Sequence, residues 1–524
     1  MKMSLSPLYA GVLLVLSGPG CQDQGSAPVS PPAPTTVWSK SGDLTMYSSP
    51  RLADLDGDGV LDVIVGHGLP GDDASGAGAA GYVTARSGVD GHELWRGEAT
   101  QELFATPLLV RINGDEVPDV IIGGRRAELR ARDGLTGAEI WRYVPDPDPM
   151  KPGGSQFFTG QLIGDQDSDG VEDLLFANGG FPAAGPGEPR PPSHLVIIGG
   201  ADGGLMAAAE MPDAAETYMS ALTYTRRGEP TVVFGSGGET LPGSLWVAPL
   251  SAVAAGDLSG AVRLTRPVGW GGAGGACPAA PSEGAAPAAP DCSGKGVIAP
   301  PALVDLTGDG TLDIVVATFD GQLAAFDGDS LAALWSLRVP GAETYATPAI
   351  GYFDDDEVPD VYAVFDIGAF PDYSSAEHRV VSGASGRLLW SFSDARVSYS
   401  SPVAVDLGGD RRDEVLLLLM DAPTDSDEEI DEDVVGERAA LYMMDIPARR
   451  IAPVQAIDGF AASTPALGDI DGDGTLDLVL GTSVYGEFSA GWVMARLSLG
   501  VPAPARLGWG GYLGSQHDGR FIPR

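Results

Sequence analysis

Cysteine and histidine are too scarce and too scattered to form the metal and redox centres common in enzymes. The chain has three Cys and five His among 524 residues, with no Cys-x-x-Cys or His-x-x-x-His pair. Without such pairs the sequence has no pattern typical of a zinc centre. The phosphate-binding Gly-x-x-x-x-Gly-Lys loop and the Gly-x-Ser-x-Gly nucleophile elbow are also missing. No catalytic residue is therefore predicted.

Positive charge is in short supply as well. The sequence has 31 Lys and Arg against 72 Asp and Glu, which gives a formal net charge of −41. Such a surface repels phosphates, so nucleic-acid partners are excluded. Many of the acidic residues recur at fixed spacing, which solubility alone does not require.

Long hydrophobic runs are absent beyond the N-terminus. The apolar stretch 8–16 follows Lys2 and is too short to span a bilayer, so residues 1–20 are predicted to be an export signal. Cys21 follows small residues as in bacterial lipoproteins, which predicts lipidation of Cys21; an ordinary signal with an incidental cysteine is the alternative. Residues 21–36 suit a flexible linker. The protein is expected at the outer membrane, in the periplasm or at the cell surface, or else secreted.

The two other cysteines form a natural pair if Cys21 is lipidated. Cys277 and Cys292 flank an Ala- and Pro-rich stretch inside a predicted insertion near 269–297. In an oxidising compartment they are predicted to form a disulfide.

The dominant feature is an internal repeat, in which an acidic loop precedes an aliphatic strand. Ser/Thr-Pro opens five of the copies, and a strand ending in Trp closes several. The first loop positions of the eight copies are 54, 111, 165, 223, 305, 352, 406 and 469. The tryptophans are Trp95, Trp141, Trp335 and Trp390. Four short aliphatic runs per period predict four β-strands, and the period corresponds to one propeller blade.

These periods predict an all-β fold, an eight-bladed β-propeller of four-stranded blades over residues 37–524. Seven blades is the alternative, because the copy at Thr223 has lost its acidic residues. Residues 37–40 match the Trp-bearing fourth strand but precede the first acidic loop, and the eighth copy lacks such a strand. The N-terminal strand is therefore predicted to complete the last blade and close the ring.

The acidic loops carry the chemistry of a calcium site. Ca²⁺ takes six to eight oxygen ligands at about 2.3–2.6 Å. Acids at loop positions one, three, five and nine, with a backbone carbonyl at seven, can surround one ion; an Asp-Gly turn without metal is the alternative. Several calcium ions are predicted. The predicted ligands are Asp54, Asp56, Asp58, Val60 and Asp62; Asp165, Asp167, Asp169, Val171 and Asp173; Asp305, Thr307, Asp309, Thr311 and Asp313; Asp406, Asp410 and Glu414; and Asp469, Asp471, Asp473, Thr475 and Asp477.

Two copies leave the metal prediction open. The loops that contain Asn113 and Asp354 have no ligand at the first position, so their occupancy is undecided. The acidic run 425–433 lacks the glycine pattern and is interpreted as a solvated insertion.

The Asp-x-Asp-Gly-Asp-Gly-x-x-Asp loop after Ser/Thr-Pro resembles FG-GAP and VCBS repeats, as in the propellers of integrin alpha subunits. The turn followed by a Leu-Trp strand also resembles the repeats of quinoprotein-type propellers. The resemblance covers roughly residues 37 to 490. It implies a calcium-binding propeller with a role in adhesion or ligand binding, although a fold by itself does not specify an activity.

The predicted function is therefore a calcium-binding scaffold of the cell envelope or exterior, monomeric and not an enzyme, which binds a protein or carbohydrate of unknown identity. The alternatives are a structural subunit of an envelope assembly, a polysaccharide-active enzyme, or a quinone-cofactor oxidoreductase. The last of these typically has adjacent cysteines, which this chain lacks. The partner site is predicted on the face opposite the calcium loops, where long insertions project. Those insertions are 66–81, 178–194, 269–297, 367–378 and 421–437.

Overall fold

The computed structural model describes residues 29–30, 32–69, 80–125, 128–144, 156–180, 190–267, 294–422, 438–486 and 489–524. The predicted signal peptide and the three cysteines, Cys21, Cys277 and Cys292, lie outside these ranges and stay predictions. Within the described ranges, no helix has the length and apolarity needed to cross a bilayer.

The strands follow the predicted grammar of short aliphatic runs separated by Gly and Asp. In chain order they begin with β1 (Thr35–Asp43), which is followed by the first four blades. Blade 1 contains β2 (Arg51–Ala53), β3 (Asp62–Leu69), β4 (Ala80–Arg86) and β5 (Glu93–Ala99). Blade 2 contains β6 (Leu108–Val110), β7 (Asp119–Gly123), β8 (Leu129–Arg132) and β9 (Glu139–Tyr143). Blade 3 contains β10 (Gln156–Phe157), β11 (Gln161–Leu162), β12 (Leu174–Gly179), β13 (His194–Ile198) and β14 (Leu205–Glu210). Blade 4 contains β15 (Leu222–Arg226), β16 (Glu229–Gly235), β17 (Leu245–Pro249), the short helix α1 (Leu250–Ala254) and β18 (Val262–Arg263).

The second half of the chain repeats this pattern. Blade 5 contains β19 (Ala302–Val304), β20 (Asp313–Ala317), β21 (Gln322–Phe326) and β22 (Ala333–Arg338). Blade 6 contains β23 (Ala342–Glu343), β24 (Ala349–Gly351), β25 (Asp360–Ala369), β26 (Asp372–Val381) and β27 (Leu388–Asp394). Blade 7 contains β28 (Arg396–Val397), β29 (Val403–Val405), β30 (Glu414–Asp421), β31 (Arg438–Asp445) and β32 (Arg450–Asp458). Blade 8 contains β33 (Ala466–Gly468), β34 (Thr475–Gly486) and β35 (Ser489–Pro502), and it is completed by β1.

Eight antiparallel sheets result, so the eight-bladed propeller is confirmed. The predicted closure is confirmed too: β1 pairs with β35, and Trp38 lies opposite Arg496. Closure removes the exposed edge that an open ring would leave. In blades 3, 6 and 7 the innermost strand is divided into two short segments, which is why those sheets have five strands.

The acid-free copy is a full blade, which excludes the seven-bladed alternative. Strands β15 and β16 are joined by Arg227 and Gly228 alone, both with positive φ, 52° and 81°. Such a two-residue hairpin turn matches the twist of the strands and has no room for a metal loop. This copy therefore keeps its strands without the acidic loop.

The predicted insertion 367–378 is a β-hairpin rather than an irregular loop. Strands β25 and β26 continue through it and meet at a two-residue turn, Phe370–Pro371. Most residues of the other long insertions lie outside the described ranges. The strands on either side of 70–79, 181–189 and 423–437 show that each of those segments joins the second and third strands of its blade.

Tryptophans tie successive blades together. Each lies on the outermost strand of one blade, and its indole N–H donates to a glycine carbonyl in the turn between the third and fourth strands of the next blade. The pairs are Trp38 with Gly88 at 2.9 Å, Trp95 with Gly134 at 2.7 Å, Trp141 with Gly200 at 2.8 Å and Trp335 with Gly383 at 2.8 Å. Blade 4 lacks such a tryptophan, and there Tyr224 donates to Gly328 at 2.9 Å. A Cβ at Gly88 would lie 2.1 Å from the carbonyl oxygen of Leu61, so this turn requires glycine.

The Ser/Thr-Pro motif forms a ring of hydrogen bonds around the propeller axis. The hydroxyl oxygen of one blade accepts from the backbone N–H at the equivalent position of the preceding blade. The bonds run from Thr347 to Ser401 at 3.0 Å, from Ser401 to Thr464 at 3.1 Å, from Thr464 to Ser49 at 3.0 Å and from Thr106 to Thr159 at 3.0 Å. Blade 5 has Pro300 at this position, which has no N–H to donate. The buried Thr347 hydroxyl is accordingly without a partner.

The last residues of the chain form a structure that the repeat did not predict. Residues 503–524, here called the C-terminal plug, run along the inner strands of several blades. Leu303, Ala404 and Leu467 each donate a backbone N–H to plug carbonyl oxygens at 2.7–2.8 Å. Trp509 and Leu513 of the plug are fully buried. The plug therefore fills part of the axial channel.

The tryptophan bonds can be tested with a matched pair of variants. Trp95→Phe should lower the free energy of unfolding by about 1–3 kcal/mol, because the Gly134 carbonyl is left without its indole donor. Trp390→Phe is the control, since the Trp390 indole makes no hydrogen bond among the described residues and packs on Phe392. Chemical denaturation of both variants measures the difference. Equal losses would contradict a specific role for the indole bond.

Candidate metal sites

Four acidic loops bring carboxylates together. In each group, one ligand oxygen from each of three carboxylates lies within 4.8 Å of the others. The groups are Asp54, Asp56 and Asp58; Asp165, Asp167 and Asp173; Asp354, Asp356 and Asp360; and Asp469, Asp471 and Asp473. Three of them are in loops for which the sequence predicted calcium.

The first aspartate of each predicted loop organises the backbone of that loop. Asp54 accepts the N–H of Gly57 at 2.8 Å and the N–H of Gly59 at 3.1 Å. Both glycines have positive φ, 78° and 86°, which an L-residue with a side chain adopts only at a cost. Asp165, Asp305 and Asp406 accept the equivalent N–H groups in their own loops. Five different sequences therefore share one loop conformation, with the Asp469 loop keeping the bond from Gly474.

The aspartate at position five of the loop accepts the backbone N–H of the residue at position seven. Asp58 accepts the N–H of Val60 at 2.8 Å, Asp169 that of Val171 at 2.9 Å, Asp309 that of Thr311 at 2.7 Å and Asp473 that of Thr475 at 2.6 Å. These bonds orient the peptide at position seven. Coordination by the carbonyl oxygens of these four residues stays a prediction.

The ninth position has a structural role that sequence reasoning missed. Asp62 is fully buried and accepts N–H groups from Leu55 at 2.9 Å and Gly88 at 3.2 Å. The same glycine offers its carbonyl to Trp38 of the neighbouring blade. Asp119, Asp173, Asp313 and Asp360 bond in the same way to Gly134, Gly200, Gly328 and Gly383. This carboxylate therefore links the acidic loop to the turn that receives the tryptophan.

In blade 8 the aspartate at position nine is connected to the neighbouring blade through an arginine. Its third and fourth strands come from opposite ends of the chain, so it has no turn between them. The buried guanidinium of Arg496 takes the place of that turn: it donates to Asp477 at 2.7 Å and to the Gly88 carbonyl at 2.8 Å. It also contacts Asp471 of the carboxylate group at 2.5 Å. The predicted ligand Asp477 is therefore neutralised by an arginine and does not join the group of three.

Two predicted loops do not gather three carboxylates. In the Asp305 loop, Thr307 occupies position three, and Asp313 accepts three backbone N–H groups. In the Asp406 loop, position three is a glycine and the adjacent Asp413 pairs with Arg524 at 2.7 Å. The ligands predicted there, including Asp309, Asp410 and Glu414, stay predictions.

The loop at Asp354 forms a group that the sequence analysis left undecided. Asp354, Asp356 and Asp360 occupy positions three, five and nine. Their three carboxylates converge although this loop has no acid at position one. The Asn113 loop, also undecided, differs. The Asn113 side-chain amide donates to Asp133 at 2.8 Å and to Asp119 at 3.3 Å. Both carboxylates are therefore hydrogen-bonded to this amide. Acids at positions three, five and nine were the signal that distinguishes the two loops.

Burial and mutual repulsion raise the pKa values of several carboxyl groups in the loops. Burial, followed by repulsion from Asp354, raises the pKa of Asp360 to about 7. Burial is also the largest cause that raises the pKa of Asp62 to about 6 and that of Glu414 to about 8. In the fourth group, Asp469 Oδ1 is buried and accepts no hydrogen bond among the described residues. The carboxyl groups at position nine are thus buried beside other acids, and in the fourth group one oxygen of Asp469 has no described partner although Arg496 contacts Asp471.

Comparison with known proteins shows the fold alone. No family model matches the chain, and no curated protein matches it. Among solved structures, a europium-containing methanol dehydrogenase is 12% identical with a TM-score of 0.57, over 89% of this chain and 93% of that chain. Quinohemoprotein alcohol dehydrogenase ADHIIG from Pseudomonas putida HK5 is 11% identical with a TM-score of 0.54, over 91% and 78%. The quinohemoprotein alcohol dehydrogenase from Comamonas testosteroni is 10% identical with a TM-score of 0.51, over 91% and 78%. The propeller part of the family resemblance is thus supported, whereas membership of the FG-GAP or VCBS family is not shown.

The raised pKa values of these carboxyl groups predict how the stability of the fold depends on pH. An acid whose pKa is raised on folding stabilises the fold while it is protonated, and this contribution is lost as pH rises through the folded-state pKa. For Asp62, Asp360 and Glu414 that loss begins near the unfolded-state pKa of about 4 and is complete by about pH 8. In chelator the melting temperature should therefore fall across this interval. A flat profile in chelator would contradict the raised pKa values; the same series in excess calcium is the control.

Proposed function

We propose that this chain is a calcium-binding β-propeller of the cell envelope or exterior that serves as a binding scaffold for a protein or carbohydrate. The observation that carries the proposal is the recurrence of three converging carboxylates in the equivalent loop of four blades. Carboxylate and carbonyl oxygens are the ligands that Ca²⁺ prefers. The resemblance of the loops to FG-GAP and VCBS repeats supports the same ion and the same kind of role.

The proposed ions would act on stability rather than on a reaction. A cation among Asp54, Asp56 and Asp58 would offset their repulsion and hold the loop that ends in Asp62. Asp62 in turn fixes the turn at Gly88, whose carbonyl accepts the indole N–H of Trp38 from the preceding blade. Metal binding and folding should therefore be coupled.

The scaffold role follows from the division of the two faces. The acidic loops and the turns between third and fourth strands share one face, because position-nine carboxylates bond directly to those turns. The turns between second and third strands, which include the segments 70–79, 181–189 and 423–437, belong to the opposite face. Variable loops on a rigid scaffold are where binding usually resides. The partner site is proposed on that opposite face, with a lipid anchor at Cys21 tethering the protein.

An oxidoreductase that uses a quinone cofactor is the competing candidate, because the dehydrogenases named above share the fold. The two functions differ in what they require of the protein. A scaffold retains its partner without turnover, whereas an oxidoreductase reduces an electron-accepting dye when supplied with a quinone and an alcohol. A structural subunit of an envelope assembly would instead co-purify with fixed partners.

Calcium stoichiometry tests the metal proposal. Equilibrium dialysis of the mature chain should find several bound ions, and the double variant Asp54→Asn/Asp56→Asn should lose one of them. Asp356→Asn should also lose one, because the loop at Asp354 forms a complete group. The exposed Asp257→Asn is the control for the loss of a negative charge outside the loops. Metal analysis that finds no calcium in the native protein would refute the proposal.

Capture experiments test the partner face. Short Gly-Ser linkers should replace residues 181–189 and 423–437 in separate variants, with all strands and acidic loops unchanged. The full chain and each variant are then used to capture partners from the native envelope. At least one replacement should abolish capture while the melting temperature stays the same. Retained capture in both variants, together with its loss in variants of exposed residues beside the acidic loops, would contradict the assignment.

A further inference from the structure

The axial channel contains a chamber lined by aromatic side chains. One aromatic residue precedes the Ser/Thr ring in each of six blades, and together these residues are here called the aromatic collar. The collar consists of Tyr47, Phe104, Phe158, Tyr218, Tyr345 and Tyr399. It encloses a cavity of about 190 Å³. Neighbouring rings are in contact, with centroids 5.5 Å apart for Phe104 and Phe158 and 5.7 Å apart for Tyr345 and Tyr399.

The chamber is closed at one end and accessible at the other. Tyr512 of the C-terminal plug lines the chamber, and its hydroxyl lies 3.4 Å from that of Ser220. The plug bonds to Leu303 and Leu467, which follow the Ser/Thr ring on the way to the acidic loops. The opening therefore lies on the face away from those loops. There Phe370 is 52% exposed, and its ring centroid lies 6.3 Å from that of Tyr399.

Acidic residues surround this opening at a regular position. Glu102, Glu216 and Glu343 each stand two residues before a collar residue, and all three are buried. Each has a cationic partner: Glu102 pairs with Arg125, Glu216 with Arg190 and Glu343 with Lys295.

A fourth carboxylate at the opening has no such partner. Glu239, in the turn after β16, accepts a hydrogen bond from the Tyr345 hydroxyl at 2.9 Å, and it forms no ion pair with any described residue. Asp366, which lies opposite Glu343 between β25 and β23, is likewise buried and forms no ion pair with a described residue. In addition, Glu102 Oε1 is buried and without a hydrogen-bond partner. The opening consequently carries an excess of negative charge above a chamber of aromatic faces.

Aromatic faces attract cations electrostatically, and the protein itself uses this interaction nearby. The Arg125 guanidinium lies 5.6 Å from the Phe104 centroid, and the Lys295 ammonium lies 5.3 Å from that of Phe319. An anionic ligand would need an unpaired cation, but all three cations are already paired with acids. A metal ion would need converging carboxylates, whereas the described residues that line the chamber contribute rings and hydroxyl groups but no carboxylate.

From this geometry we propose that the axial chamber binds a small organic cation, an alkylated ammonium group held by the aromatic collar, with Glu239 adding negative charge beside the chamber where it accepts the Tyr345 hydroxyl. The ligand could be a free ammonium compound or the side chain of a methylated lysine, because both present the same group. This site is separate from the calcium loops, so it stands or falls independently of the metal proposal.

Calorimetric titration of the calcium-loaded full chain tests the site. Tetramethylammonium and choline should bind with one site per chain, and 3,3-dimethylbutanol, the neutral isostere of choline, should bind at least about tenfold more weakly. A peptide carrying trimethyllysine distinguishes the two sources: competition between peptide and choline assigns a protein side chain as a ligand, and no binding by the peptide assigns a free compound. Equal binding of choline and its neutral isostere, or no binding of any ammonium ion, would overturn the proposal.

Variants identify the groups that are responsible. Glu239→Gln should weaken choline binding about tenfold, whereas Glu229→Gln on the exposed hairpin of the same blade should leave it unchanged. Tyr399→Phe should retain binding because it keeps the ring, and Tyr399→Leu should weaken it about tenfold. Unchanged melting temperatures exclude misfolding as the cause. Undiminished affinity in both Glu239→Gln and Tyr399→Leu would place the ligand elsewhere and contradict the assignment.

Discussion

The structure depends on one buried carboxylate in each of several blades, at the ninth position of the acidic loop. Asp62 shows the arrangement: its oxygens accept N–H groups from its own loop and from Gly88, whose carbonyl accepts the indole N–H of Trp38 from the preceding blade. A buried carboxylate is costly unless it is well hydrogen-bonded, so the three elements must form together. The acidic loop, the outer turn and the interface between blades are thereby linked in one chain of contacts.

This arrangement explains why the acidic loops recur even where the ligand set is incomplete. The Asn113 loop gathers no group of three carboxylates among the described residues, yet Asp119 still bonds to Gly134. Blade 8 has no equivalent turn, and Arg496 bridges Asp477 and Gly88 instead. The aspartate at position nine therefore connects its loop to an outer turn, or to Arg496 in blade 8, whatever the acids at positions one, three and five. In blade 7, by contrast, Glu414 accepts only the N–H of Leu407, and its other oxygen has no partner among the described residues. The two faces of the propeller divide accordingly: one is devoted to loops and stability, the other to variable turns and an axial opening.

Much of the fold was predictable because its determinants are local. Strand runs, Asp-Gly loops and the outer tryptophans repeat within each period, and the displaced strand at Trp38 indicated how the ring closes. The plug at Trp509 and the collar around Tyr345 were not predictable, because their contacts join residues that are far apart in sequence and outside the repeat. The aromatic residue that stands two positions before Ser/Thr-Pro was a visible signal, but its meaning required the ring. The carboxylate group at Asp354 was likewise not predictable, because it depends on how three side chains converge.

The most direct test of the account is a crystal structure grown with calcium, analysed by anomalous scattering. The account predicts separate peaks within the loops of Asp54, Asp165, Asp354 and Asp469, and none at the two-residue turn of Arg227 and Gly228. Each ion should be bound by the carboxylates that the loop brings together, with the position-nine residue still bonded to its glycine turn or, in blade 8, to Arg496. Loops without ions, in crystals whose propeller is otherwise intact, would contradict the account.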